Sequence, residues 1–299
     1  MNVISLTNSK FSKLNLMDLD KNIWNTEGKI YNYHYRGEDK VLKELYDKDG
    51  SRLANKLYTL ERLDEYRHLF PRSFYLPDNL VVVGGKIIGF TLPKNDGVNL
   101  NVLLNDNKVD AMMQIYYLKK VGEILHQLDY IRKNPEVRKF YINDLHESNF
   151  MVNPINGEVS VIDLDSCRIG NDTFFASKFL NPKALLNNVS GKYKTIGDDK
   201  TNYTRAYVEA DRNTDLYCYT MMILQYFSKY NKINESNLDE FYEYLNYLES
   251  IGINHNLMEC FSALVSNKEN MNPGDYLRDI TYDQIGKANM KVFKLKKQR

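Results

Sequence analysis

The sequence is poor in cysteine, in net charge and in long apolar runs, and each shortage removes a class of protein. Its three cysteines, Cys167, Cys218 and Cys260, are odd in number, far apart and without the paired spacing of a zinc site or a disulfide framework. Such usage suits a reducing compartment, and the expected location is cytoplasmic. Lys and Arg number 40 against 39 Asp and Glu, a net charge of +1, whereas bulk affinity for a phosphate backbone needs a clear basic excess. No dedicated nucleic-acid binding is expected, and any basic surface is local. The stretch from Leu80 to Pro93 is too short and too interrupted for a membrane span, and MNVISLTNSKFSKLNLMDLD holds no apolar stretch of signal-peptide type. The expectation is a soluble, unexported chain. Internal repeats and low-complexity tracts are absent, and Gly28 is the only glycine ahead of the first strand-like pair.

What is present begins with length. A chain of 299 residues is long enough for a large core and for two lobes. From Gly28, KIYNYHYRGEDKVLKELY alternates apolar and polar residues around Arg36-Gly37-Glu38-Asp39, the pattern of a hairpin. Arg52 to Leu69 carries Leu53, Leu57, Leu60 and Leu63 near helical spacing and predicts a helix on a small sheet. Leu80 to Val83, the turn Gly84-Gly85 and Lys86 to Leu92 predict a second strand pair. Beyond it the pattern turns helical. Val109 to Arg132 places Leu118, Val121, Leu125 and Leu128 on one face, and Leu238 to Ile251 and His255 to Val265 predict further helices. The polar stretch with Lys192, Lys194, Asp198, Asp199 and Lys200 reads as a solvated loop.

The chemistry concentrates in YINDLHESNFMVNPINGEVSVIDLDS, Tyr141 to Ser166. Phe150-Met151-Val152 and Val159-Ser160-Val161-Ile162 are short strands around the turn Asn153-Pro154-Ile155-Asn156-Gly157, so a hairpin brings Asn149 beside Asp163. Phosphoryl transfer asks a protein mainly for positioning and charge neutralisation: a carboxylate to orient the attacking hydroxyl, and hard oxygen ligands for magnesium. Asp144 suits the first task; Asn149 and Asp163 suit the second.

DLHESN followed by VIDLDS resembles the catalytic and metal-binding loops of the protein-kinase superfamily. Asp144 and Asn149 match the family's catalytic-loop Asp and Asn, and Asp163 matches the Asp of Asp-Phe-Gly. Two departures stand beside the match: Ile142-Asn143 replaces His-Arg, and Leu164-Asp165 replaces Phe-Gly. The resemblance implies an α+β, bilobal protein-kinase-like fold. Its small antiparallel β-sheet lobe with one main helix spans residues 1–93, and its larger, mainly α-helical lobe spans 94–299. It also implies ATP and Mg as cofactors.

By the same resemblance, Lys43 in Val41-Leu42-Lys43 pairs with the nucleotide's inner phosphates. Glu61, or else Glu65, forms the ion pair that steadies it. Gly28 stands alone where a glycine-rich loop belongs. The strand ending at Pro93 resembles the hinge that receives adenine, with Leu92 or Lys94 as donor because Pro93 has no N–H. Phe179-Leu180-Asn181-Pro182-Lys183 resembles the end of an activation segment, and Asn272-Pro273 stands where an Arg-Pro pair normally accepts that segment's glutamate. Both partners of that salt bridge are thus replaced together. Asp215 matches the Asp that braces the catalytic loop, and Asp165 offers a further metal ligand.

The expected activity is that of an ATP-dependent Ser/Thr protein kinase acting on a protein substrate. DLHESN, with His146 two residues after Asp144, is at least as similar to aminoglycoside and choline phosphotransferases, so a small-molecule acceptor is the alternative; the order FLNP, TDLYCY and NMNP resembles protein kinases and decides for a protein acceptor. A catalytically silent binding module that keeps the fold is the alternative of another class.

Overall fold

Two glycine turns lay out the main sheet. In the computed structural model, which describes residues 1–17, 28–46, 51–142, 144–170, 194–197, 204–207, 212–228, 238–265 and 271–290, strands β2 (Gly28–Tyr35) and β3 (Glu38–Leu45) pair antiparallel across Arg36 and Gly37. Both turn residues have positive φ, 54° and 85°, the geometry whose twist matches that of the flanking strands. Glu38 and Asp39 already belong to β3, so the turn is tighter than the sequence suggests. Strands β4 (Asn79–Val83) and β5 (Lys86–Pro93) repeat the solution through Gly84 and Gly85, with φ 57° and 82°.

The fold class is α+β. Among the described residues the main sheet has five strands in the order β1-β4-β5-β3-β2. Strand β1 (Asn2–Leu6) runs parallel to β4, so the expected antiparallel sheet carries one parallel edge. Past a short helix α1 (Asn8–Phe11), residue Leu16 bridges Tyr31 and extends the opposite edge.

Alternation along the strands gives the sheet two apolar faces. Leu45, Leu80, Phe90 and Leu92 form a buried cluster with Leu60 of α2 (Ser51–Glu65), against which Leu53 and Leu57 also pack. Leu42, Val81, Val83 and Ile88 form another, covered by Leu6, Phe11, Leu14, Tyr31 and Tyr33.

The chain divides into two compact units, Met1–Val102 with Gln127–Ile142 and Ser148–Ala176, and Leu103–His126 with Asn143–Glu147 and Ser177–Arg299. The grouping follows contacts and not chain order, since residues 148–176 fall in the unit of the main sheet. The first unit also holds β6 (Val98–Asn99), β8 (Phe150–Val152) and β9 (Val159–Val161), which pair antiparallel in the order β6-β8-β9, and β7 (Phe140–Tyr141) paired with β10 (Arg168–Ile169). Helices α3 (Leu100–Asn105) and α4 (Ala111–Ile131) have residues in both units.

The second unit is mainly helical, with α5 (Arg212–Phe227), α6 (Leu238–Ser250), α7 (His255–Val265) and α8 (Tyr282–Met290). Leu118, Val121 and Leu125 of α4 are buried, as the spacing predicts, and Tyr219 of α5 is buried with its hydroxyl donating to the Leu118 carbonyl at 2.7 Å. Strands β11 (Lys194–Gly197) and β12 (Thr204–Tyr207) pair antiparallel within the polar stretch expected to be a loop. Phe179 to Lys183 and Asn143 lie outside the described residues.

Candidate functional site

Strand pairing puts a lysine in the middle of the sheet. Lys43 of β3 lies opposite Ile30 of β2 and Phe90 of β5, and its side chain shares a face with Val41 and Leu45, toward the cluster that α2 covers. It is 3% exposed, with its ammonium 5.9 Å from the centre of the Phe90 ring. Strand β5 reaches β3 closely because residue 89 is glycine; a Cβ there would run into the Lys43 carbonyl.

A buried cation needs counter-charges, and the turn after β9 supplies them. Val161 is fixed on one side by β8 and on the other by its N–H to the Ser73 carbonyl at 2.8 Å. Two residues on, Asp163 adopts a left-handed backbone, φ 60° and ψ 44°, and opens a 3₁₀ turn, Leu164–Ser166. Outside glycine, Asp and Asn tolerate this region best. The turn carries Asp163 and Asp165 to the same lysine: the Lys43 ammonium is 2.5 Å from Asp163 Oδ1 and 3.1 Å and 3.2 Å from the two Asp165 oxygens.

The second cation comes from α2. Lys56 Nζ is 2.7 Å from Asp165 Oδ2 and donates to Ser166 Oγ at 3.1 Å. The lysine occupies the same helical face as Leu60 and Leu63, both fully buried. Sequence reasoning missed Lys56. The available signal was its spacing, four residues before Leu60 and seven before Leu63, which puts a charge on the apolar stripe.

The two acids are held differently. Burial raises the Asp165 carboxyl, but Lys43 and Lys56 outweigh it and hold the group well below the usual carboxylate range. For Asp163, burial pushes the carboxyl up to about 7, with Lys43 opposing and the Asp165 charge reinforcing. The Asp163 side chain keeps 38% of its surface open, so water tempers that push.

Asn149 immediately precedes β8 and is buried, and its carbonyl accepts from the Ile162 N–H at 2.9 Å. The expected hairpin therefore forms and links Asn149 to the residue before Asp163. Asn99 ties down the approach to this position through Nδ2 to the Ser148 carbonyl at 2.7 Å.

The expected brace for Lys43 is corrected. Glu61 is exposed on α2 and forms no pair with Lys43, and Glu65, also exposed, pairs with Arg62 at 2.5 Å. Glu61 follows Leu60 by one residue, so the rotation that buries the leucine turns the glutamate outward. Both oxygens of Asp165, the further metal ligand the sequence suggests, face ammonium groups. Gly28 sits in β2 opposite Leu45, where a Cβ would collide with the Glu44 carbonyl; strand packing alone requires a glycine there. Leu92 is buried in the cluster under α2, and the Lys94 N–H already donates to the Asp39 carbonyl at 3.3 Å.

In the second unit, Asp144 lies 3.6 Å from His146 Nε2, with 18% and 15% of the two side chains exposed. Asp215 is buried in the first turn of α5. Asn272 is buried too, donating to the Gly122 carbonyl at 2.8 Å and accepting from the Gly274 N–H at 3.0 Å.

Among the described residues no three His, Cys, Asp or Glu side chains gather to hold a metal. The carboxylate of Asp163 and the amide oxygen of Asn149 are hard donors of the kind magnesium takes, and magnesium is commonly held by one or two protein ligands with phosphates and waters completing the shell. No helix among the described residues is long and apolar enough to cross a membrane. No protein-family model matches the chain, and no curated protein matches it either.

Proposed function

We propose that the protein is an ATP-dependent phosphotransferase of protein-kinase-like, bilobal fold, and that it transfers the γ-phosphate of ATP to a Ser or Thr hydroxyl of a protein substrate. One observation carries the proposal. Lys43 of a central strand meets Asp163, 120 residues farther along the chain, at 2.5 Å, on a turn whose preceding residue is bonded to Asn149. A lysine for phosphates and two hard oxygen donors are what nucleotide phosphoryl transfer requires.

Each residue has a task in this proposal. Lys43 binds the inner phosphates. Asn149 and Asp163 hold magnesium, which neutralises charge on the outer phosphates when bound. Asp144, five residues before Asn149 in the chain, accepts the proton of the attacking hydroxyl as its oxygen bonds to the γ-phosphorus and the bond to the bridging oxygen breaks, releasing ADP.

The proximity of His146 to Asp144 favours a second proposal, a small-molecule hydroxyl as acceptor, since DLHESN carries that histidine as in aminoglycoside and choline phosphotransferases. Incubation with labelled ATP and magnesium, together with protein and metabolite pools, separates the two. Label in protein supports the first, label in a metabolite the second. Absence of magnesium-nucleotide binding overturns both and leaves a binding module.

A further inference from the structure

The phosphotransferase proposal, on which this inference rests, assigns Lys43 to the nucleotide's phosphates but gives no part to Lys56. Lys56 is nevertheless 7% exposed, and its partner Asp165 is 1% exposed. A buried lysine is costly unless its charge is matched, and the match here is shared. Asp165 turns one oxygen to Lys56 at 2.7 Å and the other to Lys43 at 3.1 Å. Asp163 adds the second carboxylate at 2.5 Å from Lys43.

These contacts join two ammonium groups and two carboxylates. Removing the Lys56 charge would leave these contacts with one ammonium group against two carboxylates, a more negative surround for an approaching phosphate. With Lys56 in place, Asp165 is neutralised from the helix side.

We infer that Lys56 is a positioning residue, which neutralises Asp165 so that Lys43, held by the same carboxylate, keeps its positive charge available to the phosphate chain of a nucleotide. Helix α2 thus contributes a cation to this site, the opposite sign to the glutamate expected from it. The effect is specific to phosphate: a nucleoside without phosphates has no interaction with Lys43 for Lys56 to protect.

Calorimetric titration of the full chain with magnesium-ATP and separately with adenosine tests this, using wild type, Lys56→Met and Lys56→Arg. Lys56→Met is expected to weaken magnesium-ATP by at least about tenfold while adenosine affinity stays within about twofold. Lys56→Arg, which keeps the charge, is expected to stay within about threefold of wild type for both ligands. Should the Met variant not fold, Lys56→Gln removes the charge while keeping a hydrogen-bond donor for Asp165 and is read by the same criterion. Equal weakening of both ligands, which a merely structural role would give, overturns the inference, as does unchanged magnesium-ATP affinity. In either case wild-type binding leaves the phosphotransferase proposal standing. A wild type that binds neither ligand overturns that proposal and this inference together.

Discussion

Asp163 combines a left-handed backbone with a carboxyl raised to about 7. An acid whose pKa is higher in the fold than in the unfolded chain binds the extra proton in the folded state. Its contribution to stability therefore falls as pH rises from about 4 to about 7. Asp163→Asn keeps a residue that tolerates the left-handed region and removes the titration. The melting temperature of this variant is expected to rise relative to wild type across that window, and calorimetry at several pH values checks it. Asp165 has the opposite sign: held low, it stabilises above about pH 4 and loses that contribution as pH falls further. Lys43→Met leaves Asp165 with Lys56 as partner. It is expected to lower phosphotransfer kcat/KM by about 10²–10³-fold, the scale for removing one fixed charge partner of the reacting group. Steady-state kinetics on the folded variant provides the measurement.

These residues were legible to different degrees. Asn149 and Asp163 were singled out by their order and spacing and Lys43 by the family resemblance, and the structure brings Lys43 and Asp163 together. Lys56 was not singled out, because an isolated helix lysine looks like any solvated one until the burial of Leu60 and Leu63 fixes which way the helix faces. Glu61 failed for the same reason: its distance along the sequence from Lys43 was suitable, but its angle around the helix was not.

At the scale of elements, local turn chemistry made both hairpins of the main sheet readable, since Arg36-Gly37 and Gly84-Gly85 supply the positive φ that a two-residue turn needs. Strand β1 was not readable. It pairs with β4 from more than seventy residues away, and only Ile4 of its five residues is buried, so its local pattern is weak. The strands β11 and β12 lie in a stretch whose polar composition masked them.

Helix α2 was legible as a helix from its leucines, and Leu60, fully buried in the cluster with Phe90 and Leu92, anchors it. Leu60→Ala is expected to cost about 2–5 kcal/mol by lost burial and a residual cavity. A denaturant midpoint that falls at unchanged slope would show this.

At the scale of the whole molecule, the proposed roles fall in different units of the chain. Lys43, Asn149 and Asp163 belong to the unit of the main sheet, and Asp144 to the mainly helical one. Nucleotide binding and transfer should therefore separate under mutation. The measurement that tests this most directly is incubation of wild type and Asp144→Ala with labelled ATP and magnesium, alongside titration of both with magnesium-ATP. The account predicts that the wild type transfers label to an acceptor, and that Asp144→Ala loses transfer while binding magnesium-ATP with wild-type affinity. Transfer that survives in Asp144→Ala, or a wild type that neither binds magnesium-ATP nor moves its phosphate, would contradict it.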